Sequence, residues 1–244
     1  MAGPVVPPLW TPTAARSAGP GPPVPRRQRR FATSPPGHER HDHNADTISD
    51  VRNAQLPCVA YRNPNLLADM ARTVDLIADG RLVLGLGAGW FHRDFQEYGY
   101  EVKPAPELLR DLAGALPVIR ERLSRLNPPP PRGEIPILIG GTGEKVTLRL
   151  VAEHAQIWNA IAETPQELAG KAKVLDRWCE RVGRDPATIE RSVALFNDSD
   201  LDDLDGYLEA GFTHFIWGAG GPDYDLSGVR RLLAWRAAVT GSHS

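Results

Sequence analysis

A glycine-rich segment directly after an apolar run is the part of this chain best suited to chemistry. The segment consists of Gly140, Gly141, Thr142 and Gly143, and it follows Ile135–Ile139. If the apolar run is a strand and a helix comes next, free backbone N–H groups and the helix dipole favour a bound phosphate at this turn. A tight turn in which Thr142 caps the helix explains the same residues equally well. The segment has neither the Walker spacing nor the dinucleotide-binding spacing.

A second glycine segment follows a second apolar run, Leu82–Leu86. Its residues are Gly87, Ala88 and Gly89, and Trp90 comes next. Small residues allow a ligand to approach the backbone closely. The Trp90 indole could stack on a flat ring, although a tryptophan after a strand is as often part of the packing. This pattern predicts a ligand site at the strand's carboxyl end, where α/β folds bind ligands.

The sequence does not assign a catalytic residue. His92, Asp94 and Glu97 could transfer protons, but a solvated first helical turn is the preferred interpretation. The chain has no nucleophile elbow and no H-E-x-x-H motif. No metal site is expected, because the histidines at 38, 41 and 43 lie in a segment without a scaffold to fix their geometry.

The helix before Leu82–Leu86 has clear start and stop signals. Asn63 is an expected N-cap, Pro64 suits the first helical position, and Gly80 suits the left-handed residue after the helix. Five residues at helical spacing predict one apolar face. They are Leu66, Leu67, Met70, Val74 and Ile77.

Strands and helices alternate along the rest of the chain, which predicts parallel strands joined by right-handed crossovers. The predicted strands are Leu56–Ala60 (an extended remnant), Leu82–Leu86, Ile135–Ile139, Ala155–Ala160, Glu190–Asn197 and Thr213–Gly218. The predicted later helices are Pro106–Leu126, a helix ending near Glu153, Thr164–Val182, Leu201–Ala210 and Asp225–Val239, the last with Leu226, Val229, Leu232, Leu233 and Trp235 inward. We count about five complete βα units and one remnant, and a barrel of the (β/α)8 type needs eight.

Charge and composition exclude several classes of partner. The formal net charge of −2 gives no bulk attraction to nucleic acid or to an anionic membrane. No apolar run reaches the roughly 20 residues of a membrane-spanning helix. The two cysteines, Cys58 and Cys179, are far apart in the chain and indicate no disulfide framework, so we expect a cytoplasmic protein.

Residues 1–55 differ from the rest of the chain. Residues 1–50 contain 10 of the 23 prolines and lack apolar periodicity, which predicts a disordered Pro/Arg-rich segment. Its arginines could form a nucleic-acid-binding arm, but solvated charge is the preferred interpretation.

Three segments resemble the luciferase-like flavin and deazaflavin oxidoreductases, most closely their F420-dependent subgroup. The segments are Tyr61–Trp90, Glu97–Glu101 and Ile135–Ala155, and Gly221–Arg236 is similar too. The resemblance covers about residues 56–240. It implies a (β/α)8 barrel that binds coenzyme F420 or, alternatively, FMN and transfers a hydride to or from a small organic substrate. It also implies a cofactor phosphate at Gly140–Gly143, a cleft wall at Gly87–Trp90, and a possible homodimer.

The chain departs from this family at its start. Members begin with about three further βα units of the eight-unit barrel, and residues 1–55 show no signal for them. We interpret this as a truncated or frame-altered start. A non-catalytic remnant that keeps its phosphate loop is therefore an alternative to an active enzyme. A third, weaker alternative is a sugar-phosphate- or nucleotide-binding barrel of another family, which leaves the Tyr61–Trp90 segment unexplained.

Overall fold

Six parallel strands form one sheet in chain order in the computed structural model, which describes residues 53–55, 58–89, 91–219 and 225–241. The strands are β1 (Asn53–Gln55), β2 (Leu82–Leu86), β3 (Ile137–Gly140), β4 (Ile157–Ile161), β5 (Glu190–Leu195) and β6 (His214–Trp217). The helices are α1 (Pro64–Ile77), α2 (His92–Glu97), α3 (Ala105–Arg125), α4 (Thr147–His154), α5 (Pro165–Val182), α6 (Leu204–Glu209) and α7 (Ser227–Gly241). The predicted βα alternation is confirmed, and the sheet is an incomplete barrel because closure needs eight strands. The predicted disordered segment up to residue 52 and Trp90 lie outside the described residues.

The two faces of the sheet carry different side chains. Adjacent strands place Gly140 beside Asn159, Asn159 beside Ser192, and Ser192 beside His214, so these four residues form one row. Side chains alternate between faces along a strand, so Trp158 lies on the opposite face, in the main core between sheet and helices. We call the face with the Asn159 row the inner face. In the described chain, no helix is both long and apolar enough to cross a membrane.

Helix α5 forms where its local signals predict. The Thr164 hydroxyl accepts the Glu167 N–H while the Glu167 carboxylate accepts the Thr164 N–H, a reciprocal capping box. Pro165 occupies the first helical position and Gly183 ends the helix at φ 70°. The predicted helix end at Val182 is confirmed.

Helix α1 begins as predicted but buries a different face. The Asn63 side chain accepts the N–H groups of Asn65 and Leu66, at 2.9 and 3.4 Å. The buried residues are Leu67, Ala68, Ala71 and Asp75, whereas Leu66, Met70, Val74 and Ile77 are exposed, so the predicted face is wrong except at Leu67. Two alanines allow close approach to the sheet and to α3. The Asp75 side chain is buried, and its Oδ1 accepts the Leu82 N–H at 3.1 Å.

Adjacent leucines on α1 test this orientation. Leu67 is 5% exposed and Leu66 is 54% exposed. We expect Leu67→Ala to lower the free energy of unfolding by about 3 kcal/mol, because it leaves a cavity beside the sheet. Leu66→Ala should change it by less than about 0.5 kcal/mol. Urea unfolding followed by circular dichroism measures both, and equal losses would contradict the orientation.

The first strand of the sheet also differs from the prediction. The expected extended segment Leu56–Ala60 is wrong at its end, because Val59–Tyr61 is a 3-10 turn, and β1 lies upstream at Asn53–Gln55. Cys58 forms an isolated parallel β-bridge with Gly87.

Helix α7 covers the last strand with only part of its predicted face. Val229, Leu232 and Trp235 are partly buried, but Leu226 and Leu233 are exposed, which corrects the prediction for those two residues. Trp235 packs edge-on against Phe215 of β6, with ring centroids 4.9 Å apart. In the described part of the chain, β6 is the edge strand of the sheet.

The remaining boundaries shift by small steps. β3 and β4 each begin two residues later than predicted, at Ile137 and Ile157. The single helix predicted over Leu201–Ala210 is instead a 3-10 turn at Asp198–Asp202 followed by α6.

Candidate functional site

A cleft of about 630 Å³ opens at the carboxyl ends of the strands. Its lining residues are Cys58, Tyr61, Gly87, Ala88, Gly89, Phe91, Asp94, Gly140, Gly141, Asn159, Ile161, Ala194, Phe196 and Ile216. The volume is typical of small-molecule sites. The structure therefore brings both predicted glycine segments into one cleft. Thr142 and Gly143 lie outside its lining, and Trp90 lies outside the described residues.

Two tryptophans hold the ends of the Gly140–Gly143 segment. The indole N–H of Trp158 donates to the Gly141 carbonyl oxygen, and that of Trp178 donates to the Glu144 carbonyl oxygen, both at 2.8 Å. The Gly141 N–H donates to the Asn159 carbonyl oxygen at 2.9 Å. These bonds fix the course of the backbone between β3 and α4.

Helix α4 begins later than the sequence predicts. Its first residue is Thr147 and its N-cap is Val146, so the interpretation of Thr142 as the cap is wrong. The Thr147 side chain lies under the loop, where a Cβ on Gly143 would be 2.9 Å from its hydroxyl oxygen. A side chain at residue 143 would therefore collide with Thr147.

The late helix start leaves the loop's backbone donors without partners. Within the described ranges, the N–H groups of residues 142–145 have no hydrogen-bond acceptor. Successive unpaired N–H groups next to a helix start form a concave surface that binds anions. This arrangement can hold a phosphate.

The Gly87–Gly89 segment is close to other protein atoms. Gly89 has φ 95°, and a Cβ there would overlap the Sγ of Cys58. The Cys58 thiol donates to the Ala88 carbonyl oxygen at 3.2 Å. Burial raises the pKa of this thiol, so it is a poor source of thiolate. Gly89 is therefore needed for packing against Cys58.

Aromatic side chains form the wall beside this segment. Tyr61 stacks on Tyr100 with ring centroids 4.7 Å apart, and it meets Phe95 edge-on at 5.0 Å. The Tyr100 hydroxyl also donates to the Tyr61 carbonyl oxygen at 3.1 Å. These contacts fix one side of the cleft.

The candidates for proton transfer on α2 are separated by the structure. Asp94 is partly buried and lines the cleft. His92 and Glu97 are exposed, and Glu97 lies 3.5 Å from Arg93 on the same helix. The interpretation as a solvated turn therefore suits His92 and Glu97 but not Asp94.

Two further histidines lie away from the mouth of the cleft. His214 is on the inner face, with Nδ1 3.4 Å from a Glu190 carboxylate oxygen. His154 is the last residue of α4. Burial lowers the pKa of His154, so the neutral imidazole is favoured there.

The sequence did not reveal the polar pair on the inner face. Asn159 is 4% exposed, and its Oδ1 accepts the Ser192 hydroxyl at 2.7 Å. The signal in the sequence was one amide side chain, Asn159, in an otherwise apolar run, two residues from both Ile157 and Ile161.

A second cavity of about 620 Å³ lies at the opposite ends of the strands. Pro136, Gln156, Glu190 and Thr213 are among its lining residues, so it faces the amino ends of the strands. Ligands of parallel α/β sheets bind at the carboxyl ends. We therefore assign the functional site to the cleft that contains the glycine segments.

Residues 57–202 match the sequence profile of the luciferase-like monooxygenases. The chain belongs to this family. A curated relative, the phthiodiolone/phenolphthiodiolone dimycocerosates ketoreductase of Mycobacterium sp. (strain JLS), is 31% identical over 169 residues, which are 61% of this chain and 44% of the relative. The chain spans about half the length of the curated relatives it matches.

Solved structures agree with the luciferase-like fold. An F420-dependent secondary alcohol dehydrogenase in complex with an F420–acetone adduct superposes with a TM-score of 0.62 at 16% identity, covering 72% of this chain and 76% of the dehydrogenase. A riboflavin lyase with modified FMN superposes with a TM-score of 0.52 at 9% identity, covering 68% of this chain and 46% of the lyase. The predicted fold class, a luciferase-like α/β barrel that is incomplete, is confirmed.

Proposed function

We propose that this luciferase-like chain is an F420-dependent oxidoreductase that transfers a hydride between the deazaflavin and a small organic substrate. The observation that carries this proposal is an apolar cleft next to a loop whose N–H groups at residues 142–145 have no acceptor within the described ranges. A cofactor with a phosphate and a flat ring needs both features. The similarity to an F420-dependent dehydrogenase supports F420 over other phosphate-bearing ligands.

The residues present fit such a cofactor. Gly140–Gly143 would hold the phosphate, because the N–H groups of residues 142–145 are unpaired among the described residues. The ring would lie between Gly87–Gly89 and the apolar side chains of Ile161 and Phe196. We retain Trp90 as a predicted wall of the same pocket. When bound, the deazaflavin supplies the two-electron chemistry, and the protein binds and orients the reactants.

The cleft residues would also exclude water from the reacting groups. Ile161, Ala194, Phe196 and Ile216 present apolar side chains along the ends of β4, β5 and β6. Water exclusion strengthens the polar contacts that orient a bound molecule. Asp94 contributes a carboxylate to the same cleft.

Titration of the purified chain with F420, and separately with FMN, tests the proposal. We expect micromolar binding of F420, seen as a change in cofactor fluorescence, and weaker binding of FMN. Preferential binding of FMN would support an FMN-dependent monooxygenase, which the similarity to the riboflavin lyase with modified FMN favours as the second candidate. Binding of neither cofactor by a chain with a folded circular dichroism spectrum would contradict the proposal and indicate a non-catalytic remnant.

Ketones and secondary alcohols are the first substrates to test. The curated relative is named a ketoreductase, and the dehydrogenase structure contains an acetone adduct. Oxidation of reduced F420 by a ketone, followed by absorbance, would show hydride transfer. The same assay with cofactor alone is its control.

We also propose a homodimer formed through the exposed apolar residues of α1. Leu66, Met70, Val74 and Ile77 form this surface. Contiguous exposed apolar residues are typical of protein interfaces. Light scattering should give twice the chain mass, and Ile77→Glu with Met70→Glu should give the mass of one chain. A monomeric parent chain would contradict this proposal.

A further inference from the structure

The Asn159 side chain is held in one orientation on the inner face. The Ser192 hydroxyl donates to its Oδ1 at 2.7 Å, and Ser192 is completely buried. The register of β4 and β5 places the two residues side by side. Since the amide oxygen is fixed by this bond, the amide nitrogen points away from Ser192.

The amide nitrogen of Asn159 faces the cleft. Within the described ranges, Nδ2 donates no hydrogen bond. It is also not one of the fully buried side-chain atoms that lack a hydrogen-bond partner. Asn159 also lines the cleft. An amide NH2 group carries two donors, so the cleft contains a preoriented donor that no acceptor in the described part of the chain uses.

We propose that Asn159 donates from Nδ2 to a carbonyl oxygen of the molecule bound in the cleft, and that Ser192 is the residue that positions it. The neighbour of Asn159 on β3 is Gly140, which has no side chain and leaves room for the ligand. Ile161 and Ala194 lie beyond Asn159 toward the mouth of the cleft, and both are apolar. A carbonyl in this apolar site needs a donor, and Nδ2 provides one.

Two sources of this carbonyl are compatible with the geometry. One is a ring carbonyl of the cofactor, and the other is the carbonyl of a ketone substrate. In both cases, a carbonyl oxygen accepts the hydrogen bond from Nδ2. The inference rests on the proposed function in one respect, which is that a molecule with a carbonyl group binds in the cleft.

Asn159→Asp and Ser192→Ala test the pair. Asn159→Asp keeps an acceptor for Ser192 but removes the donor, so we expect binding of the carbonyl ligand to weaken by about tenfold or more. Ser192→Ala frees the amide to rotate, and the expected loss is about three- to tenfold. The double variant should bind like Asn159→Asp alone, because Ser192 acts through Asn159.

The affected constant identifies the source. A larger dissociation constant for F420 in the variants assigns the bond to the cofactor ring. A raised KM for the ketone with unchanged F420 binding assigns it to the substrate. Either result supports the inference, provided that both variants are folded. Their unfolding midpoints should differ from the parent midpoint by no more than the loss of one hydrogen bond explains. Unchanged constants in both variants, or additive losses in the double variant, would overturn it.

A probe without phosphate separates this inference from the proposed function. Lumichrome carries ring carbonyls but no phosphate, and its contact with Asn159 can be followed by NMR of the 15N-labelled asparagine side chains. We expect lumichrome to shift the Asn159 side-chain amide signal, which is identified by its absence in Asn159→Asp, and to leave the signal of Asn63, the N-cap of α1, unchanged. A shift with lumichrome but no binding of F420 would refute the proposed function alone. An unmoved Asn159 signal with F420, FMN and lumichrome would refute the inference.

Discussion

Replacing Gly141 by valine is expected to raise the dissociation constant of a phosphate-bearing cofactor by about a hundredfold, equivalent to about 3 kcal/mol. Gly141 has φ 124°, which a side chain with a branched Cβ strongly disfavours. A Cβ there would also lie 3.2 Å from the Cγ2 of Thr147. The loop must therefore move, and the N–H groups of residues 142–145 would move with it. Fluorescence titration with F420 measures the change.

A second glycine provides the matched control. Gly133 also has a left-handed conformation, with φ 88°, but nothing lies within 4 Å of the position where its Cβ would be. Gly133→Val should therefore add backbone strain of about 1–3 kcal/mol without moving the phosphate loop. Unchanged F420 binding by Gly141→Val, or an equal loss in Gly133→Val, would contradict the role assigned to Gly141.

A compensating change can show how the loss arises. Thr147→Ser removes the Cγ2 that a side chain at residue 141 would approach. Gly141→Ala combined with Thr147→Ser should bind more tightly than Gly141→Ala alone. The recovery should be partial, because the backbone strain at φ 124° remains.

Local signals explain why so much of the fold could be predicted. The capping box of Thr164 and Glu167 and the proline at 165 act within the first turn of α5, and the glycine at 183 directly follows its last residue. The same holds for the glycine segments, which directly follow apolar strands. Such features are readable because their physical cause lies within one short stretch of sequence.

Long-range packing explains what could not be predicted. Apolar residues lie on both faces of α1, and the choice of Leu67 over Leu66 depends on where α3 and β2 lie. The hydrogen bond between Asn159 and Ser192 joins residues 33 positions apart. The single amide of Asn159 marks a polar position in an apolar run, but only the register of β4 and β5 reveals Ser192 as its partner.

Trp158→Ala is expected to lower the free energy of unfolding by about 3–5 kcal/mol. Trp158 is completely buried, and its ring packs on Phe212 with centroids 5.4 Å apart. A loss of this size is a large part of the roughly 5–15 kcal/mol that stabilises an ordinary domain. Urea unfolding of the parent and variant chains gives the difference directly.

Trp178→Ala is the control for this prediction, because Trp178 also donates its indole N–H to the loop but is only partly buried. We expect a loss of about 1–2 kcal/mol, the size of a hydrogen bond with limited packing. Equal losses for Trp158→Ala and Trp178→Ala would contradict the view that Trp158 belongs to the core.

Trp158→Phe separates the core role from the loop role. Phenylalanine keeps most of the contact with Phe212 but cannot donate to the Gly141 carbonyl oxygen. If this hydrogen bond fixes the phosphate loop, F420 binding should weaken several-fold while most of the stability remains. Full F420 affinity in Trp158→Phe would mean that packing alone positions the loop. Because the Trp158 side chain contacts both the core and the glycine segment, loss of stability and loss of cofactor binding should occur together in Trp158→Ala and separate in Trp158→Phe.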